Sequence, residues 1–462
     1  MIYTQLFDRQ APDRIVRAGV VGVGHYATAV VTQSQYVRRL HVPAVADLDV
    51  EAAQKAFLRA GLSEDDIVVC DSRAEALAAI EAGRRAVVAD AMLLMDLPLD
   101  VIVESTGNPE AAARHGAAAI RNGKHLAMVS KEPDATIGPL LKRMADAAGL
   151  VYTAVDGDQH GLLMGLVEWA RELGLEILCG GKARDAEFVY DGAAGTVSNG
   201  RQMVVLEPEQ RGILDPIAPN RVRQAVAARR EAFEPLGRIG GFDVTEMAIA
   251  ANATGLMPDV DDLHCPAVRI VEMPEVLCPA DEGGLLDRRG AIESVTCLRR
   301  MDEAGLGGGV FVVVSCENDY SRMILTTKGL IPNSRDTAAL IFRPYHLCGV
   351  ETPMSLMVAG ILGLATGPRE YAQHVDVVAR ARVPLAAGEV VGGDHDPKLE
   401  YLLLPAAAVR DGAPLPAHMA FSQRLRVDVP AGAVIRREMV DVPADSALWA
   451  LRADLDEAFG LR

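Results

Sequence analysis

From Ala18 the chain reads Ala-Gly-Val-Val-Gly-Val-Gly-His-Tyr-Ala-Thr-Ala, and a later apolar run ends in Val45-Ala46-Asp47. An apolar strand here meets Gly22-x-Gly24-x-x-Ala27, helix follows, and an acid closes the next strand about twenty residues on, the spacing of a dinucleotide-binding βαβ unit. No other stretch restricts the fold as far. Gly22 permits the tight turn, Gly24 lets backbone approach a pyrophosphate, and Ala27 lets the helix sit close to the strand with its N–H groups toward the phosphates. Asp47 is placed to accept from ribose hydroxyls and would repel a 2′-phosphate, which taken alone favours NAD over NADP. The plainer alternative is an ordinary βα turn followed by a surface acid.

The alternation continues through the first third of the chain. Ile15–Val21, Val42–Asp47, Val101–Ser105, His125–Ser130 and Leu150–Val155 read as buried strands, between Ala-rich helical stretches at Glu51–Ala60, Glu110–Arg121 and Pro139–Ala148. Such alternation predicts an α/β fold with a Rossmann-like parallel sheet, whose ligands gather beyond the carboxyl ends of the strands. One of those ends carries Ser105-Thr106-Gly107, placed to line the nicotinamide side. Another carries Ser130-Lys131-Glu132-Pro133, read as a loop that puts an ammonium group at the same edge. The predicted cofactor contacts are therefore Gly22, Gly24, His25, Tyr26, Ala27, Asp47, Ser105, Thr106, Gly107 and Lys131. A desolvated lysine there can handle a hydroxyl proton during hydride transfer, whereas a solvated loop lysine would do nothing.

Beyond Asp156 the pattern changes. Gly161–Gly174 is an amphipathic helix preceded by Asp156-Gly157-Asp158-Gln159-His160. Asp158 is either a helix N-cap or part of a group that holds a polyol or a divalent cation, and the two roles are compatible. Residues 201–230 read as an excursion or helical flap. In Asp243–Thr254, stopped by Gly255, the small side chains allow close packing and make Glu246 and Asn252 the exceptions. Glu246 either faces solvent or is buried and paired. The segment Phe342–Pro353 gathers Arg343, Tyr345, His346 and Glu351 and reads as a site wall, with Arg343 and His346 available to an anionic substrate.

Arg382–Val391 is echoed by Arg426–Ile435, each a short strand, a turn closed by Gly388 or Gly432, and another strand. The last ninety residues therefore read as a small β-rich domain in which no acid–base constellation stands out. The expected division is 1–156, 157–372 and 373–462.

Composition narrows the partners. A net charge of −17 argues against nucleic acid and anionic membranes. The seven scattered cysteines form no Cys-x-x-Cys pair and read as reduced thiols of a cytoplasmic protein. Neither a signal-peptide pattern nor a membrane span is expected.

Gly22-x-Gly24-x-x-Ala27 with Asp47, Gly157-Asp158-Gln159, Gly181-Lys182, Glu246-Met247-Ala248, Ala251-Asn252-Ala253-Thr254-Gly255 and Arg343-Pro344-Tyr345-His346-Leu347-Cys348 together carry a resemblance. They resemble oxidoreductases that join a homoserine-dehydrogenase-like half to a C-terminal SAF domain, the group holding the 1-deoxy-D-xylulose 5-phosphate reductoisomerase-like enzyme. The resemblance implies a homodimeric reductase using NADH or NADPH, a catalytic domain over 157–372 and an SAF-like unit over 373–462. It also implies that Lys131 lies near the reacting hydroxyl, with Lys182 and Glu246 in matching surroundings. Where it leads one to expect Asp-Gly-Thr-Lys-Ser, this chain has Ile239-Gly240-Gly241-Phe242-Asp243, without the basic residue and hydroxyls that would favour phosphate.

The leading expectation is an NAD(P)-dependent oxidoreductase acting on a small polar hydroxy or keto compound such as a sugar derivative. Lys131, Asp158, Lys182, Glu246, Asn252 and His346 would then bind substrate or move protons, and a divalent metal would assist if isomerisation accompanied reduction. The alternatives are a homoserine-type dehydrogenase and a cofactor-binding sensor without catalysis.

Overall fold

The computed structural model describes residues 2–462. Its N-terminal layer is a seven-stranded, wholly parallel sheet of order β3-β4-β2-β1-β5-β6-β7. The strands are β1 (Val16–Val21), β2 (Leu40–Ala46), β3 (Ile67–Val69), β4 (Arg85–Val88), β5 (Val101–Glu104), β6 (His125–Met128) and β7 (Tyr152–Ala154). Five of them match the sequence expectation. β3 and β4 fall outside it.

The helix after β6 corrects one expectation. Lys131–Ala147 is continuous, so Lys131 opens a helix instead of sitting in a loop, and Pro133 lies in the first turn, where a missing N–H costs nothing. Pro139 lies inside the same helix.

A second, mixed sheet lies beyond β7. At its centre Glu176–Ala183 pairs in parallel with Ala291–Arg299 and antiparallel with Val310–Ser315, which pairs antiparallel with Ala339–Arg343. The helix Gln159–Glu172 packs on this sheet, and Gly241–Thr254 packs against that helix, against Lys131–Ala147 and against Ala291–Arg299. Gly241–Thr254 is buried on every side, which is why its residues are small and its pattern barely amphipathic. Gly161 is demanded by close approach, since a Cβ there would lie 2.2 Å from the Val155 carbonyl oxygen. The flap expected over 201–230 resolves into a short strand, Met203–Val205, a 3₁₀ segment, Pro208–Leu214, and a helix, Val222–Ala232.

The C-terminal module is built on the antiparallel pair Val375–Ala381 and Leu399–Pro405. The two sequence echoes pair with each other: Leu385 and Val429 exchange backbone hydrogen bonds of 2.9 Å, and Gly388 and Gly432 both take positive φ at their turns. The last helix, Ala447–Ala458, returns to pack on Pro109–Arg121 and Lys131–Ala147. One apolar core runs from Val21 through Leu163 and Val244 to Leu448, so the three sequence segments share an interior.

Candidate active site

The glycine turn is held from behind. Gly22 has φ +80°, and a Cβ there would lie 2.8 Å from Ser105 and Thr106 backbone, so only glycine fits. Ser105 Oγ donates to the carbonyls of Val21 (2.9 Å) and Gly22 (2.8 Å), and Asp47 Oδ2 accepts from Val23 N–H at 2.6 Å. Both residues therefore brace the turn. At Gly24, by contrast, a Cβ would meet nothing within 4 Å, the open approach a pyrophosphate needs. A cleft of about 630 Å³ lies alongside, lined by Gly22, Asp47, Asp90, Thr106 and Asn108 among others, with no lysine or arginine in its wall. Its size and chemistry fit a dinucleotide with free ribose hydroxyls.

His25 is exposed and Ala27 fully buried. Tyr26 does not face the cleft: its hydroxyl pairs with Thr352 Oγ1 (2.8 Å) and donates to the Asp156 carbonyl (3.3 Å), tying the turn to the second layer. Gly107 N–H donates to Ser130 Oγ at 2.9 Å, which joins the ends of β5 and β6.

Past those ends lies a cluster of ions. Lys131 Nζ is hydrogen-bonded to Glu246 Oε1 and lies 3.4 Å from Asp158 Oδ1. Lys182 Nζ is bonded to Glu246 Oε2 and lies 2.6 Å from Asp243 Oδ1, an ion contact without hydrogen-bond alignment. His160 Nδ1 is 3.8 Å from Asp158 Oδ1, buried and without a hydrogen-bond partner. Asp158, His160, Lys182, Asp243 and Glu246 are all at most 3% exposed, whereas the Lys131 side chain keeps 26% of its surface.

Local structure explains the convergence. Lys131 opens one helix and Asp158 caps another, accepting from Gln159 N–H at 2.9 Å. Gln159 Nε2 donates to the Ala183 carbonyl at 2.8 Å and so sets that helix start beside Lys182. Asp243 and Glu246 stand one turn apart on a third helix, at i and i+3, facing the same way. Sequence reasoning missed Asp243, although that spacing was its signal.

Burial alone would strip the charge from both lysines, by several pKa units for a fully buried ammonium. Desolvation is the largest single influence on Lys131, but Asp158 and Glu246 together outweigh it and hold its pKa well above the ordinary value. For Lys182 the same opposition is resolved by Glu246 and Asp243, again upward. Burial pushes Glu246 up, yet the two ammonium groups win and depress it far below the carboxylate range.

Other predicted residues lie elsewhere. Asn252 is turned to the C-terminal module, accepting from His374 N–H (2.8 Å) and Val375 N–H (2.9 Å) and donating to the Val375 carbonyl (3.1 Å). The structure does not bring it to the cluster. Arg343 is not free for an anionic substrate, because it pairs with Glu351 and stacks on Tyr345 at 4.6 Å. His346 Nδ1–H donates to the Gly308 carbonyl at 2.7 Å. The Cys348 sulfur raises its pKa to about 9 against the effect of burial, with Gly308 and Asp158 adding to the rise.

Residues 19–149 match the family described as the NAD-binding domain of homoserine dehydrogenase, and residues 240–352 match the catalytic domain of oxidoreductase DRL. Both matched families are oxidoreductase families, and the first match assigns an NAD-binding domain to the glycine turn and its sheet. No curated protein matches it. Among solved structures, it is similar to 1-deoxy-D-xylulose 5-phosphate reductoisomerase from Zymomonas mobilis in complex with NADPH, at 16% identity over 52% of this chain and 58% of that one, TM-score 0.30. It is also similar to myo-inositol dehydrogenase from Lactobacillus casei (16% identity, 39% and 48% covered, TM-score 0.27) and to an NAD-binding oxidoreductase from Klebsiella pneumoniae (16%, 39% and 46%, TM-score 0.26). The chain spans about half the length of these structures, and likeness at this level carries no argument about chemistry.

All seven cysteines of the chain are unpaired, and among the described residues no helix is long and apolar enough to cross a membrane. Asp158, His160 and Glu246 bring ligand atoms within 4.8 Å of one another, a spacing that suits a divalent cation. Lys131, however, already contacts both carboxylates, and Lys182 contacts Glu246 from the other side. An ammonium group stands where the cation would bind, so the cluster as arranged does not fit a metal.

Proposed function

We propose that the enzyme transfers hydride between a nicotinamide cofactor and the carbon of a small polar hydroxy or keto compound, with Lys131 as the group that handles the oxygen and its proton. The bound cofactor supplies or takes the hydride. What carries the reading is the asymmetry of the cluster: Lys131 alone keeps exposed surface, at the strand edge where Gly107 and Ser130 meet, while everything that charges it is buried.

A lysine has three N–H donors, and two of those on Lys131 are directed to Asp158 and Glu246. The third is free to donate to a substrate carbonyl oxygen. Because its pKa is raised, Lys131 is protonated at neutral pH and stabilises negative charge as it develops on that oxygen. It then gives up a proton to the alkoxide, and Glu246, shared with Lys182, keeps the resulting amine in place. In the oxidative direction the same proton returns to Lys131.

The carboxylates of the cluster are committed to lysines, so none is spare for a substrate ammonium group, which disfavours a homoserine-type reaction. The cation-free adenosine cleft with Asp47 and Asp90 supports NAD over NADP. The echoed glycine turns support an SAF-like identity for the C-terminal module.

Hydride turnover followed at the nicotinamide absorbance over a panel of small ketones, aldehydes and alcohols tests the reading. Lys131→Ala is expected to abolish most of it, and wild-type turnover in that variant would sink the assignment. Exhaustive chelation is expected to leave turnover unchanged, since Lys131 holds the place a metal ion would take.

A further inference from the structure

The C-terminal module reaches the reacting cluster. Its loop at Gly392–Asp396 lies on the start of the helix that carries Asp243 and Glu246, with Gly241 N–H donating to the Asp394 carbonyl at 3.4 Å. Gly241 is glycine for that reason, since a Cβ there would lie 2.6 Å from Asp394 Oδ1. His418, 2% exposed, stands between the module and the helix, its Nε2 3.4 Å from Thr245 Oγ1 and 3.6 Å from Asp394 Oδ1. Asp394 Oδ1 is buried without a hydrogen-bond partner.

These groups open onto a cleft of about 620 Å³ between the cofactor domain and the module, lined by Asn108, Glu132, Phe242, Asp394, His418 and Phe421 among others. The cleft shares a wall with the cofactor cleft and lies near the lysine cluster. Asn108 lines the cofactor cleft as well, Glu132 adjoins Lys131, and the Phe242 ring lies 5.5 Å from Lys182 Nζ.

We infer that this cleft is the subsite for the distal part of the substrate, that the C-terminal module supplies its recognition groups through His418 and Asp394, and that it takes an uncharged polyhydroxylated chain and not a phosphate ester. The inference rests on the proposed oxidoreductase chemistry for which end of the substrate reacts, but not for what the cleft binds. Four carboxylates line it, Glu110, Glu132, Asp394 and Asp445. Its one arginine, Arg114, is already used by Glu110 Oε1 (2.9 Å) and the Asp445 carbonyl (2.9 Å). A phosphate dianion would face that surplus of negative charge without a free guanidinium. A hydroxyl group instead donates to the Asp394 carboxylate, which keeps 12% of its side-chain surface exposed and lines the cleft. Phe242 and Phe421 offer apolar faces to the C–H side of such a chain.

The protein contains two tryptophans, Trp169 and Trp449, and Trp449 lines this cleft. In a Trp169→Phe protein, Trp449 emission therefore reports on the cleft without any requirement for turnover. Titration with xylitol is expected to give a saturable change, and inorganic phosphate none. Asp394→Ala is expected to weaken the xylitol response about tenfold, the loss of one hydrogen bond to a charged group, with His418→Gln as an independent second variant. A saturable response to phosphate, tighter response to xylulose 5-phosphate than to xylulose, or no response to xylitol up to about 0.1 M, where even very weak sites fill, would each overturn the inference. An unchanged xylitol response in both variants would also overturn it. Absence of hydride turnover alongside a normal xylitol titration would count against the proposed reaction and leave the subsite standing.

Discussion

Two kinds of buried ion cluster occur in this molecule, and they differ in how completely they are closed. Arg452, with no exposed side-chain surface, grips both oxygens of Asp376 at 2.6 and 2.8 Å and spends two further donors on Asp456 and the Ala407 carbonyl. Arg229 does the same with Glu272 and the carbonyls of Ile213, Asp215 and Ala267. The lysine cluster is open by comparison. Each ammonium group meets two carboxylates with three donors, His160 Nδ1 is unpartnered, and Lys131 keeps 26% of its side-chain surface exposed. Guanidinium pairs of this kind fasten elements together, whereas a half-satisfied lysine leaves a donor for a ligand.

The sharpest way to break the comparison is to remove one cation from each cluster. Lys131→Ala is expected to lower kcat/KM by about 10²- to 10⁴-fold, the usual worth of a positioned acid–base group. Its Tm should stay near that of the parent, because Glu246 keeps Lys182 and Asp158 keeps its cap bond to Gln159. Arg452→Ala is expected to do the reverse, costing about 3–5 kcal/mol of stability by leaving Asp376 buried and uncompensated. Turnover per folded molecule should be intact, as read from calorimetry and active-site titration on the same sample. If both variants lost stability and neither lost specific activity, the distinction between open and closed clusters would fail.

That distinction also explains what could be read from the chain itself. The glycine turn, five strands and the stop at Gly255 follow from local chemistry, a tight turn or a period that neighbouring residues satisfy among themselves. Lys131, Asp158, Lys182 and Glu246 could each be singled out as odd residues in apolar surroundings. Their meeting could not, since it depends on helices 115 residues apart in the pair Lys131–Glu246. Asn252 looked equivalent to Glu246 because both are polar on the same helix. Six residues of helical rotation turn it about 120° around the helix, onto His374 and Val375. His418 and Asp394 were invisible for a related reason: the C-terminal segment shows no acid–base constellation, and the pair gains meaning only when the module folds onto Thr245.

A smaller effect sharpens the contrast at the cofactor edge. Asp47 is bound to Val23 N–H and Asp49 N–H, so it has a structural duty as well as its expected preference for free ribose hydroxyls. Asp47→Asn keeps acceptor capacity and removes the charge. It is expected to narrow the preference for NADH over NADPH by about tenfold, or 1.4 kcal/mol, measured as the ratio of kcat/KM values. An unchanged ratio would confine Asp47 to bracing the turn.

The smallest expected effect concerns His346, which joins the wall segment to Gly308. The Cys348 sulfur raises its pKa from 6.5 to about 9, opposed by burial and aided by the Gly308 carbonyl. The folded state therefore binds this proton more tightly than the unfolded chain does. Its stabilising contribution is complete below 6.5, diminishes as pH rises through the window, and is lost above about 9. His346→Gln can still donate to Gly308 but does not titrate, so the Tm difference between parent and variant should shrink as the pH is raised from 6.5 to about 9. A Tm difference that stays constant across that window would mean that His346 holds Gly308 as a neutral donor, and that its charge does nothing for the fold.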